Sequence, residues 1–328
     1  MHYPAAFFGQ TSLPAAYSAP AVVAGAVFGS QATAGGEAGL STATASRPDS
    51  AAASGGIEYA TVRFRGEDVE LSGVLVRSAA SATAARRPAI VLLHGCGGMF
   101  DSRGRVNART RDWSERFASW GMVVLAVDSF SPRGAGSICE LKERPAHPWA
   151  VRAADAYAAL GYLVSRQDVD AANVFVIGWS HGGSTVTGVV RADSPGRRAE
   201  GPHFKAAIAF YPGCERALRY KSYRPTIPLL MLHGEADDWA PVGPCLQLRQ
   251  KAVIQNWPVQ LITYPDAHHG FDAPNVSVRS LPNVYNPRSP GGRGAHVGTH
   301  EPSREKAIEE VRRFIQRRST TGLAVATA

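Results

Sequence analysis

Short apolar runs recur along the chain from residue 57 onward, with helical patterns between them. The first two runs, residues 59–65 and 69–76, predict two strands joined by a turn, and the second run alternates between its two faces. The later runs are almost continuously apolar, as in strands that are buried on both faces of a parallel sheet. These later runs are residues 89–93, 122–127, 174–177, 206–210, 229–232 and 259–263.

Two predicted helices are marked by apolar residues at steps of three and four. One stripe runs from Trp149 to Leu163, and the other runs from Ala307 to Ile315. For the second helix we predict Ser303 as the N-cap residue. Because strands and helices alternate along most of the chain, we expect an α/β fold with a mainly parallel, eight-stranded sheet and helices on both faces.

The first 55 residues differ in composition from the rest of the 328-residue chain. Their only charged residues are Glu37, Arg47 and Asp49, and small residues and proline predominate. Such a segment has too little bulky apolar surface to offset the entropy cost of ordering, so we predict a low-complexity leader over residues 1–55. We expect one catalytic domain over residues 56–318 and a flexible tail over residues 319–328.

Two interpretations of the leader stay open. If residues 1–34 act as a signal peptide, with an apolar run and an Ala-x-Ala-like end over residues 19–34, the protein is periplasmic or secreted. However, residues 1–18 contain no Lys or Arg, and a signal peptide normally begins with one. Without an export role for the leader, the protein is cytoplasmic.

The net charge and the apolar runs indicate which partners to expect. The chain has 35 Lys and Arg against 27 Asp and Glu, a net charge of +8. That surplus would suit a nucleic-acid partner, but the basic residues are scattered and no nucleic-acid motif is present. No uncharged run has the density of bulky apolar side chains of a membrane span. We therefore expect a small-molecule partner, with no nucleic acid and no membrane span, and the oligomeric state stays open.

The most informative motif is residues 178–182, Gly-Trp-Ser-His-Gly, which directly follow an apolar strand. In a G-x-S-x-G turn from strand to helix, the glycines avoid clashes and the serine hydroxyl stands above the sheet edge. We predict Ser180 as a nucleophile, followed by a helix that starts over residues 183–190. The alternative is a glycine-rich turn in which the serine is incidental.

A serine hydroxyl is a weak nucleophile, so it needs a base that a third group orients, and these follow in the order acid, then histidine. We predict Asp237 as the acid because it lies three residues after a glycine, with Asp238 as the alternative. We predict His269 as the base because a Gly-Phe pair follows it, with His268 as the alternative. We expect no metal, because adjacent histidines rarely converge on one ion and no third ligand is evident.

Five segments, in this order, resemble the α/β-hydrolase superfamily and most closely its dienelactone hydrolase-like branch. They are residues 92–98, 127–134, 178–183, 234–237 and 264–271, and the resemblance covers roughly residues 57–316. The resemblance implies the α/β-hydrolase fold and a triad of Ser180, Asp237 and His269. It also implies a hydrolase that needs no cofactor.

Two positions depart from the family pattern. The family pattern that this chain resembles has a cysteine at the elbow, where this chain has Ser180. They also have a glutamate just after the histidine of the first loop, where this chain has Gly95 and Cys96. A serine at the elbow fits ordinary ester hydrolysis at least as well, so the substrate for which the family is named is not implied.

Acyl transfer passes through an oxyanion that preorganised donors stabilise. We predict the backbone amides of His181 and Cys96 as these donors, with Gly97 as the alternative to Cys96. The four cysteines are Cys96, Cys139, Cys214 and Cys245. None of them has the C-x-x-C spacing that would indicate a zinc site. Two interpretations stay open, four buried thiols or two disulfides. Of the three pairings, one joins Cys96 to Cys139 and Cys214 to Cys245.

The sequence also offers candidates for the substrate pocket. Arg133 is a candidate to hold a substrate carboxylate, and the alternative is a structural arginine that bridges loop carbonyls. Trp179, with Trp149 and Trp239, is a candidate to line an apolar acyl pocket, and the alternative for each is core packing. The polar stretch of residues 272–300 is expected to be a flap over the site or a mobile surface loop.

Taken together, these features predict a serine hydrolase that cleaves a small carboxylic ester or lactone through an acyl-enzyme. One alternative is a prolyl-oligopeptidase-like peptidase, although such enzymes normally carry a large extra domain. Another alternative is a catalytically inactive α/β-hydrolase that only binds its ligand, although the residues of the triad are all present.

Overall fold

An eight-stranded sheet organises the computed structural model, which describes residues 56–79 and 85–323. The strands follow in the order β1-β2-β4-β3-β5-β6-β7-β8. The pairings of β2 with β1 and with β4 are antiparallel, and all pairings from β4 to β8 are parallel. The prediction of a mainly parallel, eight-stranded sheet is therefore confirmed. The strands are β1 (Ile57–Arg65), β2 (Glu70–Ser78), β3 (Arg87–Leu93), β4 (Val123–Asp128), β5 (Val169–Trp179), β6 (Ala206–Phe210), β7 (Leu229–Gly234) and β8 (Val259–Tyr264).

Helices cover both faces of this sheet. Consecutive residues of β3 point to opposite faces, so Val91 belongs to one apolar core and Leu92 to the other. The core around Val91 contains Leu160 from α2 and Leu248 from α5, whereas the core around Leu92 contains side chains from α1 and α6. The helices are α1 (Ala108–Ser119), α2 (Val151–Val164), α3 (His181–Val189), α4 (Glu215–Arg219), α5 (Gly243–Ile254) and α6 (Glu301–Gln316).

Helix starts differ slightly from the predicted ones. The helix after the elbow, α3, begins at His181, directly after the serine. At α6, the N-cap residue is His300 rather than the predicted Ser303, because a proline is tolerated in a first turn and the helix begins before it. Ser303 instead lies inside the first turn, where its Oγ is 2.6 Å from Nδ1 of His300.

Residues 272–300, for which the sequence predicts a flap over the site or a mobile surface loop, contain a second, two-stranded sheet. Its strands, β9 (Arg279–Tyr285) and β10 (Arg293–Val297), pair antiparallel and shift register once. The backbone N–H of Tyr285 donates to Cys139 O at 3.0 Å, which attaches the hairpin to the loop after β4.

Several predictions concern parts of the chain that the structure does not describe. The leader at residues 1–55, and with it the question of export, lies outside the described residues. The same is true of residues 324–328 of the predicted tail. Among the described residues, no helix combines the length and apolar character that crossing a membrane requires.

Candidate active site

Ser180 lies at the tight turn between β5 and α3. Its backbone has φ 53° and ψ −111°, a conformation that costs a non-glycine residue about 1–3 kcal/mol. The flanking glycines leave no room for side chains. A Cβ on Gly178 would lie 2.3 Å from the carbonyl oxygen of Gly182, and a Cβ on Gly182 would lie 2.0 Å from that of Leu93. The turn is therefore packed against the end of β3, with Ser180 held at the carboxyl edge of the sheet.

Asp237 and His269 meet at the same edge, where β7 and β8 end. Asp237 Oδ2 is 2.7 Å from His269 Nδ1, and Asp237 Oδ1 accepts the backbone N–H groups of Trp239 and Ala240 at 3.0 and 2.8 Å. Burial by itself would raise the pKa of Asp237, but the charge and hydrogen bond of His269 hold it below its usual value. Because an ionised carboxylate only accepts, Nδ1 donates to it, and in the neutral imidazole Nε2 is left as the acceptor.

The two neighbours that sequence reasoning kept as alternatives have other partners. Asp238 Oδ2 is 2.7 Å from His296 Nδ1, and both side chains are exposed. His268 Nδ1 is 3.0 Å from the carbonyl oxygen of Ala236. Of these four side chains, Asp237 and His269 are therefore the acid and the imidazole that contact each other.

Ser180 and His269 line one cavity of about 360 Å³. Two aromatic rings of its wall lie against the imidazole. The ring centroid of Tyr211 is 4.5 Å from that of His269, and the centroid of Trp239 is 4.9 Å from it. Basic side chains form another part of the wall, on the loop after β4 and after β9: Lys142, Arg144, His147 and Arg288.

The loop that follows β3 lies beside the serine. A Cβ on Gly95 would be 3.7 Å from the Cβ of Ser180. Cys96 in this loop is disulfide-bonded to Cys139, and its carbonyl oxygen accepts the Ile138 N–H at 2.9 Å. Within the described residues, the backbone amides of Cys96 and His181 donate to no other protein group. The disulfide and this hydrogen bond hold the loop, with a free amide, next to the serine.

All four cysteines lie in the described part of the chain, and the second disulfide joins Cys214 to Cys245. Of the three pairings left open by the sequence, the structure has Cys96–Cys139 with Cys214–Cys245. The described residues contain no group of three or more His, Cys, Asp or Glu side chains arranged to hold a metal ion.

Comparison with known proteins places these residues in a family. The family described as the dienelactone hydrolase family matches residues 73–318, most of the chain. The chain belongs to the dienelactone hydrolase family. The predicted family and the predicted α/β-hydrolase fold are therefore confirmed.

Solved structures share the fold of this dienelactone hydrolase family member. The chain is 18% identical to a dienelactone hydrolase-like promiscuous phosphotriesterase, P91, from metagenomic libraries, with a TM-score of 0.58 over 80% of this chain and 99% of that chain. It is 22% identical to Thermogutta terrifontis esterase 2 phosphoramylated by tabun, with a TM-score of 0.55 over 78% of this chain and 93% of that chain. At these identities the likeness shows the fold alone.

One curated relative is longer. Acylamino-acid-releasing enzyme 1 of Oryza sativa subsp. japonica is 24% identical over 238 residues, which are 61% of this chain and 29% of the relative. The chain therefore matches less than a third of that relative's length.

The contacts of Arg133 correct its predicted role as a holder of substrate. Its Nη1 and Nη2 bind the buried carboxylate of Asp155 at 3.0 and 2.8 Å, and its Nε binds Asp68 at 3.0 Å. Nη1 also donates to the carbonyl oxygen of Ser129 at 2.7 Å. Because its donors are taken and it does not line the cavity, Arg133 is the structural arginine that the sequence left as the alternative.

Of the three tryptophans predicted as pocket candidates, two are core residues and one lines the cavity. Trp179 is buried with its Nε1 donating to Asp272 at 2.7 Å, and it does not line the Ser180 cavity, which corrects its predicted substrate-binding role. Trp149 packs in the opposite core, where its Nε1 donates to the carbonyl oxygen of Ser184 at 3.0 Å. Trp239 lines the cavity, as expected for a pocket residue.

Sequence reasoning missed Tyr211, Lys142 and Arg144 as residues of the cavity wall. A signal existed for Tyr211, which directly follows the carboxyl end of β6, the edge where α/β sheets build their sites. Lys142 and Arg144 lie in a long loop after β4, and no pattern in that loop distinguishes them from solvent-facing charges.

Proposed function

We propose that Ser180, His269 and Asp237 act as the triad of a serine hydrolase that cleaves small carboxylic esters or lactones. One observation carries this proposal. A serine on a strained elbow shares a cavity with an imidazole whose Nδ1 is 2.7 Å from a buried carboxylate. Nucleophile, base and orienting acid are the three groups that activation of a serine hydroxyl needs.

The proposed reaction begins when Ser180 Oγ attacks the ester carbonyl carbon and His269 Nε2 takes the hydroxyl proton. The carbonyl oxygen becomes an oxyanion, which accepts from the free amides of His181 and Cys96. The bond to the leaving oxygen then breaks, and His269 gives its proton to that oxygen, which leaves the acyl group on Ser180. Water attacks this acyl-enzyme with His269 again as base, and the carboxylic acid and free serine result. In a lactone, the leaving alcohol stays tethered to the acyl group.

We also propose that the preferred ester bears an anionic group. Lys142 and Arg144 line the cavity, and Glu215, the acidic side chain of that wall, is ion-paired with Arg288. Arg144 Nε is buried and has no hydrogen-bond partner among the described residues. Burial lowers the pKa of Arg144, since a buried guanidinium lacks the water that stabilises its charge. A substrate carboxylate in the cavity would pair with the Nη groups of Arg144, which are not buried in this way.

The test of the proposed triad is covalent labelling. Wild-type protein is incubated with a fluorophosphonate probe, the modified peptide is mapped by mass spectrometry, and hydrolysis of p-nitrophenyl esters is measured in parallel. We expect label on Ser180 and hydrolysis of at least the short-chain esters. Absence of both results would favour the inactive binding protein, whereas faster turnover of a peptide p-nitroanilide than of any ester would favour the peptidase.

Arg144→Gln tests the anionic substrate. For p-nitrophenyl hemisuccinate, which has a free carboxylate, we expect kcat/KM to fall about 10- to 100-fold, the range for a lost hydrogen bond to a charged group. For neutral p-nitrophenyl butyrate, kcat/KM is expected to stay nearly unchanged. Arg105→Gln is the control, because Arg105 pairs with Asp101 in an exposed turn outside the cavity. Equal losses on both esters would contradict the proposed contact.

A further inference from the structure

Asp272 is a buried carboxylate that the proposed reaction does not use. Its side chain has no exposed surface, and it accepts hydrogen bonds from three aromatic side chains. Tyr211 Oη donates to Oδ1 at 2.6 Å, while Nε1 of Trp179 and Nε1 of Trp113 donate to Oδ2 at 2.7 and 2.8 Å. Burying a charge is costly unless it is hydrogen-bonded and paired. These three donors therefore indicate that the carboxylate is kept in a fixed place.

Tyr211 connects this cluster to the candidate active site. Its ring lies against the imidazole of His269 and lines the cavity, while its hydroxyl points away to Asp272. Burial raises the pKa of Tyr211 well above its ordinary value, so the hydroxyl keeps its proton and donates. The hydrogen bond to Asp272 therefore fixes the direction of the ring that touches His269.

The second ring against the imidazole is tied in a similar way. Trp239 Nε1 donates to the carbonyl oxygen of Tyr285 at 3.1 Å. His269 is therefore restrained by Asp237 at Nδ1 and by two aromatic rings whose polar ends are both hydrogen-bonded. Such restraint matters because a base that is displaced by about 1 Å from the proton it takes loses much of its effect.

Arg109 ties the same cluster to the backbone next to the base. Its Nε is 3.4 Å from Asp272 Oδ1, and its Nη2 donates to the carbonyl oxygen of Gly270 at 3.4 Å. The guanidinium thus balances the buried charge of Asp272 and contacts the residue that follows His269.

We propose that Asp272 is a positioning residue for His269, which it holds in place by accepting the Tyr211 hydroxyl and so keeping the Tyr211 ring against the imidazole. This inference rests on the proposed function, because it concerns how the proposed base is held. Asp272 itself contacts neither substrate nor the reacting atoms.

The decisive comparison is between Tyr211→Phe and Trp113→Phe. Each removes one donor from the same carboxylate, but the Tyr211 ring touches His269, whereas Trp113 is buried between α1 and the sheet and does not line the cavity. For a neutral p-nitrophenyl ester, Tyr211→Phe is expected to lower kcat about tenfold with little change in KM, because the ring stays but its direction is freed. Trp113→Phe is expected to keep kcat within about twofold while lowering the melting temperature.

Asp272→Asn and the double variant with Tyr211→Phe test whether the carboxylate acts through the tyrosine. If it does, the double variant is expected to be no slower than Asp272→Asn alone, because residues of one network are not additive. Additive losses in kcat would overturn the inference. Should Asp272→Asn fail to fold, equal losses of kcat in Tyr211→Phe and Trp113→Phe would still overturn it.

The labelling experiment separates this inference from the proposed function. If wild-type protein is labelled at Ser180 and the two phenylalanine variants lose kcat equally, the triad stands and the positioning role falls. If wild-type protein is not labelled at Ser180 and hydrolyses no ester, the proposed function falls and the inference falls with it.

Discussion

Ser180→Ala is expected to lower kcat for a p-nitrophenyl ester by about 10⁶-fold, since without the hydroxyl no acyl-enzyme forms. What remains is hydrolysis by water in a cavity that still binds the ester and still presents the amides of His181 and Cys96. The fold is expected to persist, because alanine adds no atom at this position and the surrounding glycines are unchanged. The measurement is kcat from initial rates, together with the circular dichroism spectrum and the melting temperature.

Ser119→Ala is the matched control, because Ser119 is an exposed serine at the end of α1, outside the cavity. It should retain full activity and full labelling by a fluorophosphonate. A Ser180→Ala protein that is folded but keeps more than about a tenth of the wild-type kcat would mean that another group is the nucleophile.

The elbow is predictable from sequence because its constraint is local. Gly178 and Gly182 have no room for a Cβ, and both lie two positions from Ser180 in the sequence. The acid and the histidine are predictable for a similar reason, since each follows the end of an apolar strand. The structure adds which neighbour of each pair has the right contact, through the 2.7 Å separation of Asp237 and His269.

Side chains with distant partners could not be assigned in this way. Arg133 looks like a substrate ligand in sequence because its two carboxylate partners, Asp68 and Asp155, lie far from it along the chain. Trp179 lies beside the nucleophile in sequence, yet its indole N–H is directed to Asp272, 93 positions later. The fold brings together partners that are far apart in the sequence, so no short sequence pattern predicts these contacts.

The hairpin of β9 and β10 was missed for a different reason. Its strands pair with each other and, apart from a single bridge between Val297 and His269, with no other strand or loop among the described residues. Most of their residues are exposed or half-buried, so they lack the apolar runs that mark the main sheet. Its position is set by single contacts, such as that of Tyr285 N–H with Cys139 O. The cavity wall that contains Arg288 depends on this hairpin and was therefore not predictable either.

Asp237→Asn is expected to lower kcat about 10⁴-fold while leaving the fold and KM nearly unchanged. The amide fits the same space, but its NH₂ group can donate to His269 Nδ1, which the carboxylate cannot do. That contact favours the tautomer with the proton on Nε2, and such an imidazole has no lone pair for the Ser180 proton. Since the pKa of Asp237 is held below its usual value, the wild-type carboxylate stays ionised in mild acid.

Asp238→Asn is the control, because Asp238 is the adjacent carboxylate and pairs with His296 at an exposed position. Its kcat is expected to stay within about threefold of wild type, as for an exposed ion pair worth less than about 1 kcal/mol. Rates of both variants should be measured from pH 5 to pH 9 at saturating ester, with slow fluorophosphonate labelling of Ser180 as the sign that the nucleophile of Asp237→Asn is intact. If Asp238→Asn lost more activity than Asp237→Asn, the 2.7 Å contact would be structural, and the orienting acid would have to be Asp238.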